Sequence, residues 1–151
     1  MNAQTQPAAV QSYIPWLFVV DDEPDMAALF AGIGRRAGFA VKAMNDQRAL
    51  AATFEDCRPD AIVLDLFLGA TDASAIFEWL QHRHFRGAVI LVSGYDCHTL
   101  TDYLVRGRAA GLYVLGLIQK GRPSELERLG EILRTHCVGA RALRSAPAGL
   151  Q

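Results

Sequence analysis

Residues 16–24 read WLFVVDDEP: five apolar residues, then three acidic ones and a proline. The apolar run is short and rich in β-branched and aromatic residues, so it reads as a strand that ends at Asp21 and Asp22. Behind it Met26, Leu29, Phe30, Ile33 and Ala37 recur at three-and-four spacing, which predicts an amphipathic helix. One strand followed by one helix is a βα unit. The fold depends on whether the unit repeats.

It repeats four more times. FAVKAM alternates weakly as a second strand, and DQRALAATFED places Leu50 and Phe54 one helical turn apart. AIVL leads into Asp65, followed by a helical face of Ala73, Ile76, Phe77 and Leu80. AVILV ends at Ser93, ahead of Leu100, Tyr103 and Leu104. LYVLGLI runs toward Lys120, and Ser124 with Glu127 reads as a capping box ahead of Leu126, Leu129, Ile132 and Leu133. Strands that are apolar on both faces and separated by helices predict a parallel sheet covered on both sides, a doubly wound α/β domain.

At 151 residues, 51% hydrophobic and with a net charge of −1, the chain suits one well-buried core. The folded domain is expected over residues 15–138, with polar tails at 1–14 and 139–151. The scattered arginines form no basic stripe, which argues against direct DNA binding. The apolar runs are shorter than the ~20 residues of a membrane span, and the start lacks a signal peptide's pattern, so a cytoplasmic protein with no membrane partner is expected. Cys57, Cys97 and Cys137 show no CxxC spacing and read as buried or half-buried thiols. His82 and His84 read as a solvated helix end.

Ligands of doubly wound sheets bind beyond the carboxyl ends of the strands. Those ends carry Asp21 and Asp22, Asp65, Ser93 and Lys120. Singly each has an ordinary explanation: Asp22 as a helix cap, Ser93 in a turn with Gly94, Lys120 as a snorkelling surface cation. Together they describe chemistry. Three carboxylates in one crevice repel one another, and Mg²⁺, a hard cation with oxygen ligands, relieves that repulsion while leaving room for a phosphate oxygen. Asp65 as nucleophile would form an aspartyl phosphate, with the Ser93 hydroxyl and the Lys120 ammonium as donors to the phosphoryl oxygens. The chain has thirteen arginines and two lysines. A compact ammonium at 120 fits this role, because a forked guanidinium would lock onto the carboxylates.

On the residues VVDDEP, IVLDL, LVSG and IQK, the chain resembles the receiver domain of bacterial two-component response regulators, over about residues 16–137. The resemblance implies a flavodoxin-like (βα)5 fold with strand order 2-1-3-4-5. It further implies that Asp22 is a direct Mg²⁺ ligand, that Asp21 acts largely through water, that Asp65 is the phosphoacceptor, and that Phe67 lends its backbone carbonyl to the metal. Ser93 and Lys120 stand at the family's Ser/Thr and lysine positions. A sensor histidine kinase or phosphotransfer protein would then donate the phosphoryl group, self-dephosphorylation would be slow, and no separate substrate would be turned over. A downstream effector protein would read the change, for instance on the face of the fourth helix, fifth strand and fifth helix, with a homodimer as a further mode. SGYD and GLYVLGLIQK are most similar to receivers found ahead of EAL-type cyclic di-GMP phosphodiesterase domains; no such domain follows here, which implies a stand-alone receiver.

Three departures from the family pattern bear on shape. Leu68-Gly69 and Ala73 replace Met-Pro and a later glycine, so the loop after Asp65 should differ. Leu117 stands where an aromatic is common. Gly121 replaces the proline after the lysine, with Pro123 displaced by two. A cis bond before glycine costs about 3 kcal/mol, against under 1 before proline, which predicts a trans bond or a remodelled loop. Haloacid-dehalogenase-like phosphatases need a second aspartate where Phe67 stands. The competing reading is a receiver-shaped interaction module that no longer uses phosphate.

Overall fold

The elements follow in the order β1 (Trp16–Val20), α1 (Pro24–Arg36), β2 (Ala40–Met44), α2 (Gln47–Asp56), β3 (Ala61–Asp65), β4 (Phe67–Leu68), β5 (Thr71–Asp72), α3 (Ala73–His82), β6 (Ala88–Ser93), α4 (Cys97–Ala109), β7 (Tyr113–Gln119) and α5 (Pro123–Ser145). This is a computed structural model, and it describes residues 13–95 and 97–145. β2, β1, β3, β6 and β7 form, in that order, a five-stranded parallel sheet. Counting sheet strands alone, the order is 2-1-3-4-5, as expected. β4 and β5 are a separate two-residue antiparallel hairpin.

Successive side chains of a strand point to opposite faces, and here both faces are covered. Phe18, Val20, Ile62, Leu64, Val89 and Leu91 enter one core with Leu50, Phe54, Ile76, Phe77, Leu80 and Leu100. Leu17, Val19, Ala61, Val63, Ile90 and Val92 enter the other with Phe30, Leu129 and Leu133. Full burial of each large aliphatic or aromatic side chain contributes roughly 1.5–3 kcal/mol. On α1 the buried face is Ala27, Phe30, Ala31 and Gly34, while the expected core residue Leu29 is 37% exposed. The small residues let α1 lie close to the sheet: a Cβ on Gly34 would stand 2.4 Å from Leu17 Cδ2.

Parallel register aligns the strand ends that matter. Val20 is opposite Leu64, Asp65 opposite Val92, and Ser93 opposite Gln119. Asp21, Asp65, Ser93 and Lys120 therefore follow one rim of the sheet. The chain reverses its direction of sheet growth between β1 and β3, so the acidic residues sit at the switch point.

The C-terminal boundary differs from the expectation. α5 continues through residues 139–145 instead of ending at Val138. Ala140 is buried, Arg141 donates to the Gly38 carbonyl at 3.3 Å, and Arg144 lies 3.5 Å from the Asp60 carboxylate. GARALR lost the apolar period but is built mostly of good helix formers, which let the helix run on. Its start also differs: Pro123 is the first helical residue, and the Arg122 carbonyl accepts from the Glu125 and Leu126 N–H groups at 3.0 and 3.2 Å. Ser124 is thus inside the first turn and does not open a capping box. At the other end Tyr13, expected in the N-terminal tail, donates its hydroxyl to Asp60 at 2.7 Å. The remaining expected tail residues, 1–12 and 146–151, lie outside the described residues. Cys57 is half-buried and Cys137 buried, as expected, and His82 and His84 are exposed.

Candidate functional site

Asp21 and Asp65 leave adjacent strands at the same level, and both are almost completely buried. The Lys120 ammonium stands between them, 2.8 Å from Asp21 Oδ2 and 3.0 Å from Asp65 Oδ2, with Glu23 Oε1 at 3.4 Å. The contacts with Asp65 and Glu23 are aligned as hydrogen bonds, whereas Asp21 Oδ2 has the ammonium's charge beside it but no aligned donor. Asp21 Oδ1 accepts from the Glu23 N–H at 2.9 Å, which orients the carboxyl group toward the crevice.

Asp22 is exposed and turns to the hairpin, where its Oδ2 accepts from the Gly69 N–H at 3.1 Å. Asp65 Oδ1 accepts from the Phe67 N–H at 3.2 Å. One ligand atom from each of Asp21, Asp22, Glu23 and Asp65 can be chosen so that all lie within 4.8 Å of one another. Ser93 is fully buried at the end of β6; its hydroxyl accepts from the Tyr95 N–H at 3.1 Å, and its carbonyl accepts from the Lys120 N–H at 2.8 Å. That backbone bond fixes where the lysine leaves β7.

Burial pushes the Asp65 pKa up, from 3.8 to about 6, against the hydrogen bonds from Lys120 and the Phe67 N–H; the charge of Asp21 raises it further. Burial also works against the Lys120 charge, but Asp21 and Asp65 outweigh it and raise the lysine's pKa. The crevice holds more negative charge than one lysine neutralises.

The Lys120–Gly121 peptide is trans, and Gly121 takes φ +83°. A residue with a Cβ is strained there, so glycine at 121 suits the turn into α5. The loop after Asp65 is the β4–β5 hairpin, with Gly69 at φ +58°.

All the expected side chains reach one rim. Glu23 was missed, although it directly follows the acidic pair. Tyr103 and Asp72 were also missed as neighbours of the crevice. The Tyr103 hydroxyl donates to Asp72 Oδ2 at 2.8 Å, and its ring lies edge-on to Phe67 with centroids 5.6 Å apart. Their sequence separation left no local signal. Asp60, at the opposite rim, collects the Tyr13 hydroxyl, the Trp16 N–H at 2.9 Å and Arg144, and serves structure there.

Sheet order and crevice together define a flavodoxin-like domain with an acidic pocket closed by a half-buried lysine. The chain belongs to the response regulator receiver domain family, whose pattern matches residues 17–127. It is 30% identical over 94 residues to the nitrogen assimilation regulatory protein NtrX of Azorhizobium caulinodans. That match covers 60% of this chain and 21% of the relative, so the chain spans about a fifth of that protein's length. Among solved structures, a response regulator from Colwellia psychrerythraea superposes with a TM-score of 0.70 at 25% identity, covering 84% of this chain and 99% of the other. The receiver domain of NtrX from Brucella abortus gives 0.65 at 27% identity, covering 86% and 99%. Receiver domains are signalling modules of two-component systems and in general accept a phosphoryl group on an aspartate. Among the described residues, no helix is long and apolar enough to cross a membrane.

Proposed function

We propose that Asp65 accepts a phosphoryl group from a histidine of a sensor kinase or phosphotransfer protein, with Mg²⁺ required, and that the change is read by a downstream protein. The observation that carries this reading is the buried Asp65 carboxylate held 3.0 Å from the half-buried Lys120 amid three further carboxylates. A carboxylate oxygen of Asp65 attacks phosphorus, the bond to the histidine nitrogen breaks, and its electron pair returns to the imidazole. Lys120 and Ser93 would donate to the phosphoryl oxygens as charge redistributes.

The donor set suits Mg²⁺, being all oxygen. Asp21 Oδ2, buried without an aligned donor, is an oxygen that a cation satisfies. Asp21, Asp22 and Asp65, with the Phe67 backbone carbonyl, would hold the ion. Bound there, it would neutralise charge on the phosphoryl group. The α4–β7–α5 face, with Val105 and Tyr113 about 60% and 59% exposed, supports docking of an effector protein or of a second copy. SGYD and GLYVLGLIQK support a place among receivers associated with EAL-type domains.

The test is mass spectrometry after incubation with acetyl phosphate and Mg²⁺. One phosphoryl group should be gained by the native chain and none by Asp65→Asn. A folded native chain that gains none refutes the phosphoacceptor role and leaves the interaction-module reading.

A further inference from the structure

The hairpin beside Asp65 is too small to hold itself. β4 and β5 have two residues each, and an isolated pair of strands is marginal in water even when longer. Two of its tethers run through the crevice: Gly69 N–H to Asp22, and Phe67 N–H to Asp65. Those carboxylates must also serve whatever the crevice binds. A third tether comes from α4. Phe67 and Asp72 are directly opposite each other across the hairpin, and Tyr103 engages both, its ring edge on Phe67 and its hydroxyl on Asp72 Oδ2.

Tyr103 is itself held. It is 8% exposed, and the Arg106 guanidinium lies over its ring at 5.5 Å while reaching Ser74 Oγ at 3.4 Å. Asp72 uses its other oxygen to cap α3 through the Ser74 N–H at 2.7 Å. The phenol therefore meets a carboxylate that is already fixed in position. Tyr95 also touches Phe67 edge-on at 5.1 Å, but the residue is 65% exposed.

We propose that Tyr103 is the positioning residue that staples the β4–β5 hairpin to α4, and that it thereby couples the crevice around Asp65 to that helix. The coupling toward Mg²⁺ and phosphate rests on the phosphoacceptor reading; the staple itself does not. By linkage, a partner that shifts α4 changes how tightly the crevice holds its ligands, and ligands in the crevice steady α4 to the same degree.

Tyr103→Phe keeps the ring and removes the hydroxyl. Hydrogen exchange of residues 66–73 should quicken about tenfold, and Mg²⁺ affinity measured by calorimetry should fall three- to tenfold. Asp72→Asn should give a similar change, and the double variant should add little to either single one. Leu50→Val, in the core, controls for a general loss of stability. Hairpin exchange within twofold of the native chain, or a change equal to that of Leu50→Val, overturns the staple. Faster exchange with unchanged Mg²⁺ affinity overturns the coupling to the crevice. A native chain that binds Mg²⁺ but takes up no phosphoryl group would refute the phosphoacceptor role while leaving both of these comparisons decisive.

Discussion

Replacing Asp65 by asparagine should stabilise the metal-free protein. The carboxyl pKa rises from 3.8 to about 6 on folding, chiefly because the group is buried. A tenfold change in proton affinity corresponds to about 1.4 kcal/mol, so this rise corresponds to ~3 kcal/mol between the protonated and ionised states. Because the folded pKa lies above the unfolded one, the stability that protonation contributes is complete below pH 3.8. It is lost as pH rises through 6. At pH 7.5 native Asp65 is ionised against its environment, whereas the asparagine amide is neutral and can still accept from Lys120. Urea denaturation in EDTA at pH 7.5 should therefore show Asp65→Asn more stable by up to ~3 kcal/mol, with the gap closing toward pH 4. Mg²⁺ should narrow the gap at pH 7.5, since a ligand at a hundred times its Kd stabilises the folded native chain by about 2.7 kcal/mol. A variant less stable than the native chain at pH 7.5 without divalent ions, or a gap independent of pH, would refute the reasoning.

Lys120→Met should have the opposite sign. It leaves Asp21 and Asp65 buried without their cation, at a cost of roughly 3–5 kcal/mol in EDTA, and Mg²⁺ should restore part of the loss in the same urea titration. Gly87→Ala places a Cβ 2.6 Å from the Asp60 backbone carbonyl and 2.4 Å from the Phe85 ring. A loss of roughly 1–3 kcal/mol is expected, and a neutral effect on Tm would mean that this turn relaxes freely. Ending the chain at Val138 removes buried Ala140 and the Arg141 and Arg144 contacts, so Tm should fall by several degrees, corresponding to about 1–2 kcal/mol. An unchanged Tm would show that residues 139–145 act as a tail after all.

The fold was legible because its signals are local. WLFVV, AIVL and AVILV are buried on both faces, and alternation of such runs with helical periods leaves a covered parallel sheet as the natural arrangement. Asp21, Asp65, Ser93 and Lys120 could be assembled from sequence for the same reason: in this topology the carboxyl ends of β1, β3, β6 and β7 lie along one rim. The α5 boundary was not legible, because Arg141 and Arg144 are held by Gly38 and Asp60, residues far away in the chain.

By itself, then, the sequence determined the order of elements, the residues delivered to the rim and the oxygen-rich chemistry available there, since period and strand-end position are properties of neighbouring residues. Tertiary structure alone decided how that chemistry is set. It placed Lys120 between two buried carboxylates, drew Glu23 into the cluster, folded residues 67–72 into a hairpin and fastened that hairpin to Tyr103. The position of Lys120 and the Tyr103 contact depend on distances between segments tens of residues apart, which packing of the helices on the sheet fixes and no local pattern encodes.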